Sequence, residues 1–183
     1  MCNSSMAICC WRRSNASADM EFRSTEDQLE ISELDPFLAE LLRQIPASTK
    51  TECVPAAEQR LFSAPADPTE RELCAEWKLY VQPELRRLFG TATDTVVSDL
   101  RQLNESEKPF ANCTLRIPHE HAAAWLSALN QARLVIAAKY NFTEKELCDH
   151  YRSPIGSRRD LSLFQVNFYG FLQEFILREF ESG

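Results

Sequence analysis

Residues 115–141, LRIPHEHAAAWLSALNQARLVIAAKYN, constrain the fold of this chain more than any other segment. The segment begins with a strand-like alternation, turns at Pro118 and continues into a stretch whose apolar residues recur at intervals of three and four. That spacing predicts a long helix with one buried face, which ends at Asn141. The residues of the buried stripe are Ala122, Trp125, Leu129, Ala132 and Ile136.

A second apolar helix is predicted close to the C-terminus. Asp160 provides its N-cap, and the helix continues from residue 161 to about residue 180. Tyr169 widens its apolar stripe, so we expect this helix to lie deep, against the central helix. The stripe consists of Phe164, Phe168, Phe171, Leu172, Phe175 and Ile176.

The segments before the central helix predict a small sheet and helix starts. Residues 20–34 alternate between apolar and polar side chains on either side of a turn at 25–27, which favours a hairpin over a continuing helix. Residues 113–117 alternate in the same way, and we expect them to pair with the hairpin. Asp-Pro pairs at 35–36 and 67–68 mark two helix starts.

Several shorter helices are predicted from these starts. The first covers residues 36–45 and the second residues 68–81, a short piece covers 83–90 and ends at its glycine, and the next helix covers 93–103. The fold class is therefore mainly α, a single helical-bundle-like domain of about six helices with a small antiparallel β element near the N-terminus. The predicted buried residues of the second helix are Leu73, Trp77 and Tyr80 or Val81.

Length, charge and patterning restrict the classes of protein that this chain can be. Its 183 residues are enough to bury a core without disulfide or metal staples, which favours one domain over residues 20–183. Residues 1–19 are polar and aperiodic, so we expect a disordered extension, and Met20 is a candidate translation start. The net charge of -7 argues against a nucleic-acid partner, because an acidic chain repels phosphate backbones.

The cysteines and the hydropathy pattern bear on cellular location. Seven cysteines are scattered without a CxxC pair or a repeated spacing. They do not form a disulfide framework, so we interpret them as reduced thiols, several of them buried, in a cytoplasmic protein. No run of about 18 apolar residues occurs, so no membrane-spanning helix is expected. No cofactor is expected either, because P-loop and Rossmann glycine patterns are absent.

Three segments of the chain carry a resemblance to a known family. They are Trp125-Leu126-x-x-Leu129-Asn130-x-x-Arg133-Leu134, the heptapeptide PELRRLF at 83–89 and the tetrapeptide FLQE at 171–174. Together they resemble an uncharacterised bacterial family, domain of unknown function family two-zero-one-seven, in order from about residue 20 to about residue 180. Gln131 stands where the family usually has Asp, and Ala137-Ala138 where it often has Gly-Thr.

This resemblance implies a fold but no assigned chemistry. In some bacteria, members of the family that this chain resembles are encoded near an adaptor of the Clp protease. The resemblance therefore implies a link to regulated proteolysis.

Polar residues on the two apolar helices form the first candidate site. Asn130 and Arg133 are three residues apart and therefore share a helix face. Burial of a guanidinium without a partner is very costly, so we predict that Arg133 pairs with Glu174 of the last helix and that Asn130 hydrogen-bonds nearby. With Trp125 these residues form a candidate ligand-binding cluster. The interpretation that we prefer is structural, with the charge pair fixing the register of the two helices.

An arginine-rich loop is the second candidate site. Arg152, Arg158 and Arg159 lie just before a predicted helix start, where backbone N–H groups and guanidinium groups can bind an anion. Asp160 competes with an anion for the same helix N-terminus, so a solvated loop is the favoured interpretation.

Histidine and cysteine pairs do not predict a metal site or a catalytic thiol. His119 and His121 are two residues apart, which places them on different faces of a helix, and the spacing does not match HExxH. Cys148 and His150 diverge for the same reason, and no base is evident that would activate the thiol. We therefore predict no metal site and no catalytic residues.

Two function classes remain. The first is a non-catalytic protein-interaction or regulatory module, favoured because no catalytic constellation fits the spacing; its acidic residues 20–40 suit a basic protein partner. The second is a small-molecule-binding protein or enzyme that uses the Asn130, Arg133 and Glu174 cluster. An enclosed cavity lined by that cluster would favour the second class, whereas a packed cluster and an exposed apolar patch elsewhere would favour the first.

Overall fold

The structure, a computed structural model, describes residues 20–104, 113–148 and 155–181. The fold is mainly α with a small antiparallel sheet near the N-terminus, as the sequence predicts. The predicted disordered extension, residues 1–19, lies outside the described residues. Among the described helices, none combines the length and the hydropathy that crossing a membrane requires.

Three strands form the sheet, in the order β1 (Glu21–Ser24), β2 (Gln28–Leu34) and β3 (Cys113–Pro118). Both strand pairs are antiparallel, which confirms the predicted hairpin and its pairing with the later strand. The register of β2 against β3 shifts between Ile31 and Leu34, where Glu33 has a φ of 55°. This bulge returns Leu34 to the buried face of the sheet.

The helices surround this sheet on its buried side. The helices are α1 (Pro36–Arg43), α2 (Ile45–Ser48), α3 (Pro55–Phe62), α4 (Arg71–Glu76), α5 (Gln82–Leu100), α6 (Ala122–Tyr140), α7 (Glu144–Cys148) and α8 (Arg158–Glu181). A π-helical turn, Trp77–Val81, joins α4 to α5. Two 3-10 turns, Arg101–Asn104 and His119–His121, precede and follow β3.

Helices α6 and α8 form the centre of the core. Gln173, late in α8, contacts Leu126, early in α6, while Gly170 contacts Arg133, so the two helices run antiparallel. Every residue of the two predicted apolar stripes is buried, which confirms that these helices pack together. The sheet covers α8, because the ring of Phe22 contacts the rings of two stripe phenylalanines.

The ends of the two core helices follow local capping chemistry. Asn141 ends α6 in the left-handed conformation with a φ of 49°, which confirms the predicted end. Helix α8 begins a turn earlier than predicted. Ser157 is its N-cap: Ser157 Oγ accepts a 3.1 Å hydrogen bond from the backbone N–H of Asp160 and donates a 2.8 Å bond to the Asp160 carboxylate. The prediction of Asp160 as the N-cap is wrong: Asp160 lies in the first turn of the helix, where its carboxylate accepts hydrogen bonds from the Ser157 hydroxyl and the backbone N–H of Gly156.

Residues 71–100, comprising α4, the π-helical turn and α5, form one continuous helix, here called the rod. The sequence predicts breaks at Pro83 and Gly90, and both predictions are wrong. The backbone N–H of Gln82 bonds to the carbonyl oxygen of Trp77, five residues back, so Pro83 follows a widened turn in the first turn of α5, where its missing N–H is tolerated. Gly90 lowers helix stability by only about 1 kcal/mol, which is too little to end a long helix whose later turns are buried in the core.

Candidate functional site

Arg133 lies between α6 and α8, where its guanidinium rests on Gly170. A Cβ atom at Gly170 would lie 3.1 Å from Cζ of Arg133, so the glycine leaves the space that the guanidinium occupies. Arg133 Nη1 donates a 2.5 Å hydrogen bond to Oε1 of Gln173, and Nε2 of Gln173 donates a 3.1 Å bond to the carbonyl oxygen of Leu126. The guanidinium therefore connects the two core helices through Gln173.

Glu174 acts on Arg133 through its charge and not through a hydrogen bond. Burial lowers the pKa of the Arg133 guanidinium below its ordinary value, and the Glu174 carboxylate partly offsets this effect. Nε of Arg133 and Oε2 of Glu174 are buried without a hydrogen-bond partner among the described residues. The predicted pairing of Arg133 with Glu174 is therefore present as a charge interaction, whereas the hydrogen bond from the guanidinium goes to the neighbouring Gln173.

Two predicted members of this cluster lie elsewhere. Asn130 is exposed, so the expected hydrogen bond beside Arg133 is not formed in a buried site. Trp125 is fully buried but faces Asp99 of α5. Arg133 rests on Gly170 and is hydrogen-bonded to Gln173, and the nearby charge of Glu174 acts on it, which fits the register-fixing interpretation. Ligand binding by Asn130, Arg133, Glu174 and Trp125 stays a prediction.

A buried carboxylate joins the rod to α6. Asp99 is only 6% exposed and accepts a 2.8 Å hydrogen bond from Nε1 of Trp125. Nδ1 of His121 lies 3.0 Å from both Asp99 carboxylate oxygens, so the carboxylate also fixes the imidazole ring. Asp99, His121 and Trp125 therefore form a polar contact that attaches α5 to the start of α6.

The sequence contains a signal for this contact at position 99. Val96, Leu100 and Leu103 are buried, and Asp99 lies three residues after Val96 and four before Leu103. An acidic residue inside an apolar stripe requires a buried hydrogen-bonding partner. Position 99 therefore predicts such a partner, although not its identity.

The two histidines that the structure describes, His119 and His121, make structural contacts. Nε2 of His119 lies 2.8 Å from the carbonyl oxygen of Thr25, while His121 contacts Asp99. Within the ranges that the structure describes, no group of three or more His, Cys, Asp or Glu side chains is arranged to hold a metal ion. The cysteines that it describes are free thiols and none is fully buried, so the expectation of buried thiols is wrong for Cys53, Cys74, Cys113 and Cys148.

The arginine loop is only partly described. Arg152 lies outside the described residues, and Arg158 is exposed at the start of α8. Nη1 of Arg159 lies 2.7 Å from Oε1 of Glu146, and its guanidinium lies 4.6 Å from the centre of the Phe142 ring. Arg159 is therefore engaged with α7 and its neighbouring ring, while anion binding by Arg152, Arg158 and Arg159 stays a prediction.

Glu146 is expected to titrate well below an ordinary glutamate. A hydrogen bond from Arg159, together with the backbone N–H and hydroxyl of Thr143, lowers the pKa of Glu146 from 4.5 to about 2. A depressed pKa contributes stability that is present above pH 4.5 and lost as the pH falls towards 2. An NMR titration of the side-chain carboxyl should therefore find its midpoint near the lower value.

Glu146→Gln provides the control for this titration. The difference in unfolding free energy between the natural chain and this variant should shrink as the pH falls through the same interval. A Glu146 midpoint near the ordinary value, with a constant difference between the two proteins, would contradict the expectation.

A third candidate site, which the sequence did not predict, lies on the outer part of the rod, which comprises α4 and the π-helical turn. The second helix was expected to bury Leu73, Trp77 and Tyr80 or Val81, but Leu73 is 52% exposed and Tyr80 is 70% exposed. The expectation is wrong because α4 has no buried residue, so this face does not enter the core. The apolar stripe exists, but the described chain does not cover it.

This stripe forms one wall of a cavity of about 380 Å³, here called the groove. The opposite wall is residues 64–66, an Ala-Pro-Ala segment that leads from α3 to the rod. The rod contributes Leu73, Glu76, Trp77, Tyr80 and Val81. Because the rod contributes two aromatic rings, two aliphatic side chains and one carboxylate, the groove combines an apolar surface with a single charged side chain.

The Trp77 ring is fixed in this wall. Its Nε1 donates a 3.0 Å hydrogen bond to the carbonyl oxygen of Phe62, the last residue of α3. The Phe62 ring is buried beside the ring of Phe89, and the Arg86 guanidinium lies 4.0 Å from the Phe62 ring centre. Arg86 also forms an ion pair with Glu58, so α3 and the rod are linked where the groove begins.

A protein-family model matches most of the chain. The match is to "Domain of unknown function (DUF2017)" and covers residues 17–179. The chain belongs to the DUF2017 family. No curated protein and no solved structure matches it.

In this DUF2017 chain, the segments that carry the resemblance take part in the contacts described above. Arg133, from the first segment, and Gln173, from the third, share the hydrogen bond between α6 and α8. Residues 83–89, the remaining segment, begin α5 directly after the π-helical turn. The DUF2017 description assigns no activity, so function must be argued from the geometry of the sites.

Proposed function

We propose that this chain is a non-catalytic protein-interaction module that binds an apolar segment of a partner protein in the groove. The observation that carries the proposal is the apolar face of the rod, which has the spacing of a buried stripe but is exposed. Contiguous apolar surface of this kind on a folded domain is typical of interaction sites. The π-helical turn within the same segment supports the proposal, because such turns are frequent at functional sites.

The shape of the groove suits a short peptide segment with one or two large side chains. A volume of about 380 Å³ lies at the lower end of ligand-binding cavities, which is enough for anchor side chains but not for a folded domain. Partner segments that bind a helix face commonly insert such anchors at helical spacing. The rigid Trp77 ring provides a preformed surface, which reduces the entropy lost on binding.

The competing function, a small-molecule site at Arg133, has less support. The guanidinium is packed against Gly170 and hydrogen-bonded to Gln173, so the cluster holds two helices together.

The proposal also includes a cytoplasmic location and a role in regulated proteolysis, neither of which depends on the groove. Both remain predictions, the first from the cysteine pattern and the second from the family resemblance.

Peptide selection on the intact chain tests the proposal. A random dodecapeptide library displayed on phage would be panned on the immobilised chain, and enriched peptides would then be assayed on the double variant Leu73→Ala/Tyr80→Ala. Binding should weaken by about tenfold or more, because the contacts of two large side chains in the groove are lost. Both side chains are largely exposed, so the variant is expected to keep the fold.

Leu79→Ala provides the matched control. Leu79 lies in the same π-helical turn and is 65% exposed, but it does not line the groove. This variant should bind the selected peptides like the natural chain. Equal binding to the natural chain and the double variant, or no enrichment at all, would contradict the proposed function.

A further inference from the structure

We infer that the groove recognises a basic side chain, arginine or lysine, of its partner segment through Glu76, Trp77 and Tyr80. This inference rests on the proposed function and specifies the chemistry of the bound segment. The three residues line the same cavity, and they supply a carboxylate and two aromatic rings. That combination is suited to an organic cation on an alkyl chain.

Each part of the groove matches one part of such a side chain. The aliphatic stem of an arginine or a lysine can lie along Leu73 and Val81, as long charged side chains commonly do on apolar surfaces. The charged head can then contact the faces of Trp77 and Tyr80, to which cations are attracted by the ring quadrupole. Glu76 supplies the opposite charge beside these rings.

Glu76 is available for a partner. Within the described residues, no lysine, arginine or histidine forms an ion pair with it, whereas Glu84 of the same rod is paired with Arg87. Arg71 and Lys78 are exposed on the same segment, but neither lines the groove. The carboxylate is therefore the charge that an occupant of the groove meets.

The overall charge of the chain favours the same occupant. The net charge of -7 attracts basic segments and repels acidic ones during approach, which raises the association rate of a basic partner. The groove itself sets the preference at contact, because only a cation gains from both the rings and the carboxylate. A neutral segment of the same shape would keep the apolar contacts but would lose the attraction of the rings and the carboxylate for a cation.

A pair of defined probes tests the inference. The probes are the acetylated, amidated tripeptide leucine–arginine–leucine and its counterpart in which citrulline, a neutral side chain of nearly the same shape, replaces arginine. Each would be titrated into the ¹⁵N-labelled full chain and followed by NMR. The arginine tripeptide should shift the Trp77 indole N–H and the amides of residues 76–81, and it should bind about fivefold more tightly than the citrulline tripeptide.

Two substitutions of similar residues separate the Glu76 contact from general charge. Glu76→Gln should remove most of the preference for arginine over citrulline while leaving the apolar contacts. Glu72→Gln removes the same charge from an exposed position that does not line the groove, and it should leave the preference unchanged.

The outcomes distinguish this inference from the proposed function. Equal affinity of the two tripeptides at the groove, or an unchanged preference in Glu76→Gln, overturns the basic-side-chain inference. Shifts confined to residues away from the groove overturn it as well. Selected phage peptides that bind the groove but lack arginine and lysine would leave the proposed function standing and the inference overturned.

Discussion

Trp125→Ala is expected to lower the free energy of unfolding by about 4 kcal/mol, which is the usual range for a fully buried tryptophan. The side chain has no exposed area, so its removal leaves a cavity between α6 and the rod. The indole N–H that donates a hydrogen bond to the buried Asp99 carboxylate is also lost. Urea unfolding at neutral pH, followed by circular dichroism, measures the change.

Trp125→Phe separates the two contributions to this loss. The phenyl ring keeps most of the apolar burial but cannot donate to Asp99, so a loss of about 1–3 kcal/mol is expected from the weakened polar contact. Leu79→Ala, at an exposed position, should change stability by less than about 0.5 kcal/mol. A Trp125→Ala variant about as stable as this control would contradict the description of the core.

Gly170→Ala and Gly90→Ala are expected to change stability in opposite directions. Both glycines lie within helices, where alanine is intrinsically better by about 1 kcal/mol. A Cβ at Gly90 meets nothing within 4 Å, so that variant should be more stable by about this amount. At Gly170 the Cβ would press on the Arg133 guanidinium, and the overpacking cost of about 1–3 kcal/mol should make the variant less stable.

A double-mutant cycle shows whether Arg133 is the cause. In an Arg133→Ala background the guanidinium is gone, so Gly170→Ala should become neutral or stabilising. The interaction free energy between the two positions should therefore be large, as it is for residues in contact. Stabilisation by Gly170→Ala in the natural chain would mean that the guanidinium does not rest on this glycine.

The parts of the fold that could be predicted from the sequence are those in which a local pattern and the tertiary contact agree. The apolar stripes of α6 and α8 bury each other, and the alternating residues of the hairpin and β3 pair in one sheet. Turn and cap chemistry is also local, which is why Asn141 was assigned correctly as the end of α6. In these segments the periodicity alone identifies the buried face.

The parts that could not be predicted depend on which partner a face meets. The stripe on α4 has the same periodicity as a core helix, and periodicity does not say whether the covering surface belongs to the same chain. Similarly, the position of Arg133 predicts a polar partner on α8. The sequence does not decide which of the neighbouring residues Gln173 and Glu174 accepts the hydrogen bond, and in the structure it is Gln173. The continuity of the rod through Pro83 depends on a π-helical turn, for which the sequence offers no simple signal.

The rod has a consequence for how this protein can diverge. Its inner end is held by Val96, Asp99 and Leu100, whereas its outer end, roughly 40 Å away, carries no fully buried side chain. Changes at the exposed positions of the outer end, such as Leu73 and Tyr80, therefore carry little folding penalty, whereas changes at the inner end carry a large one. Specificity for different partner segments can evolve on the outer turns while the rest of the molecule stays the same.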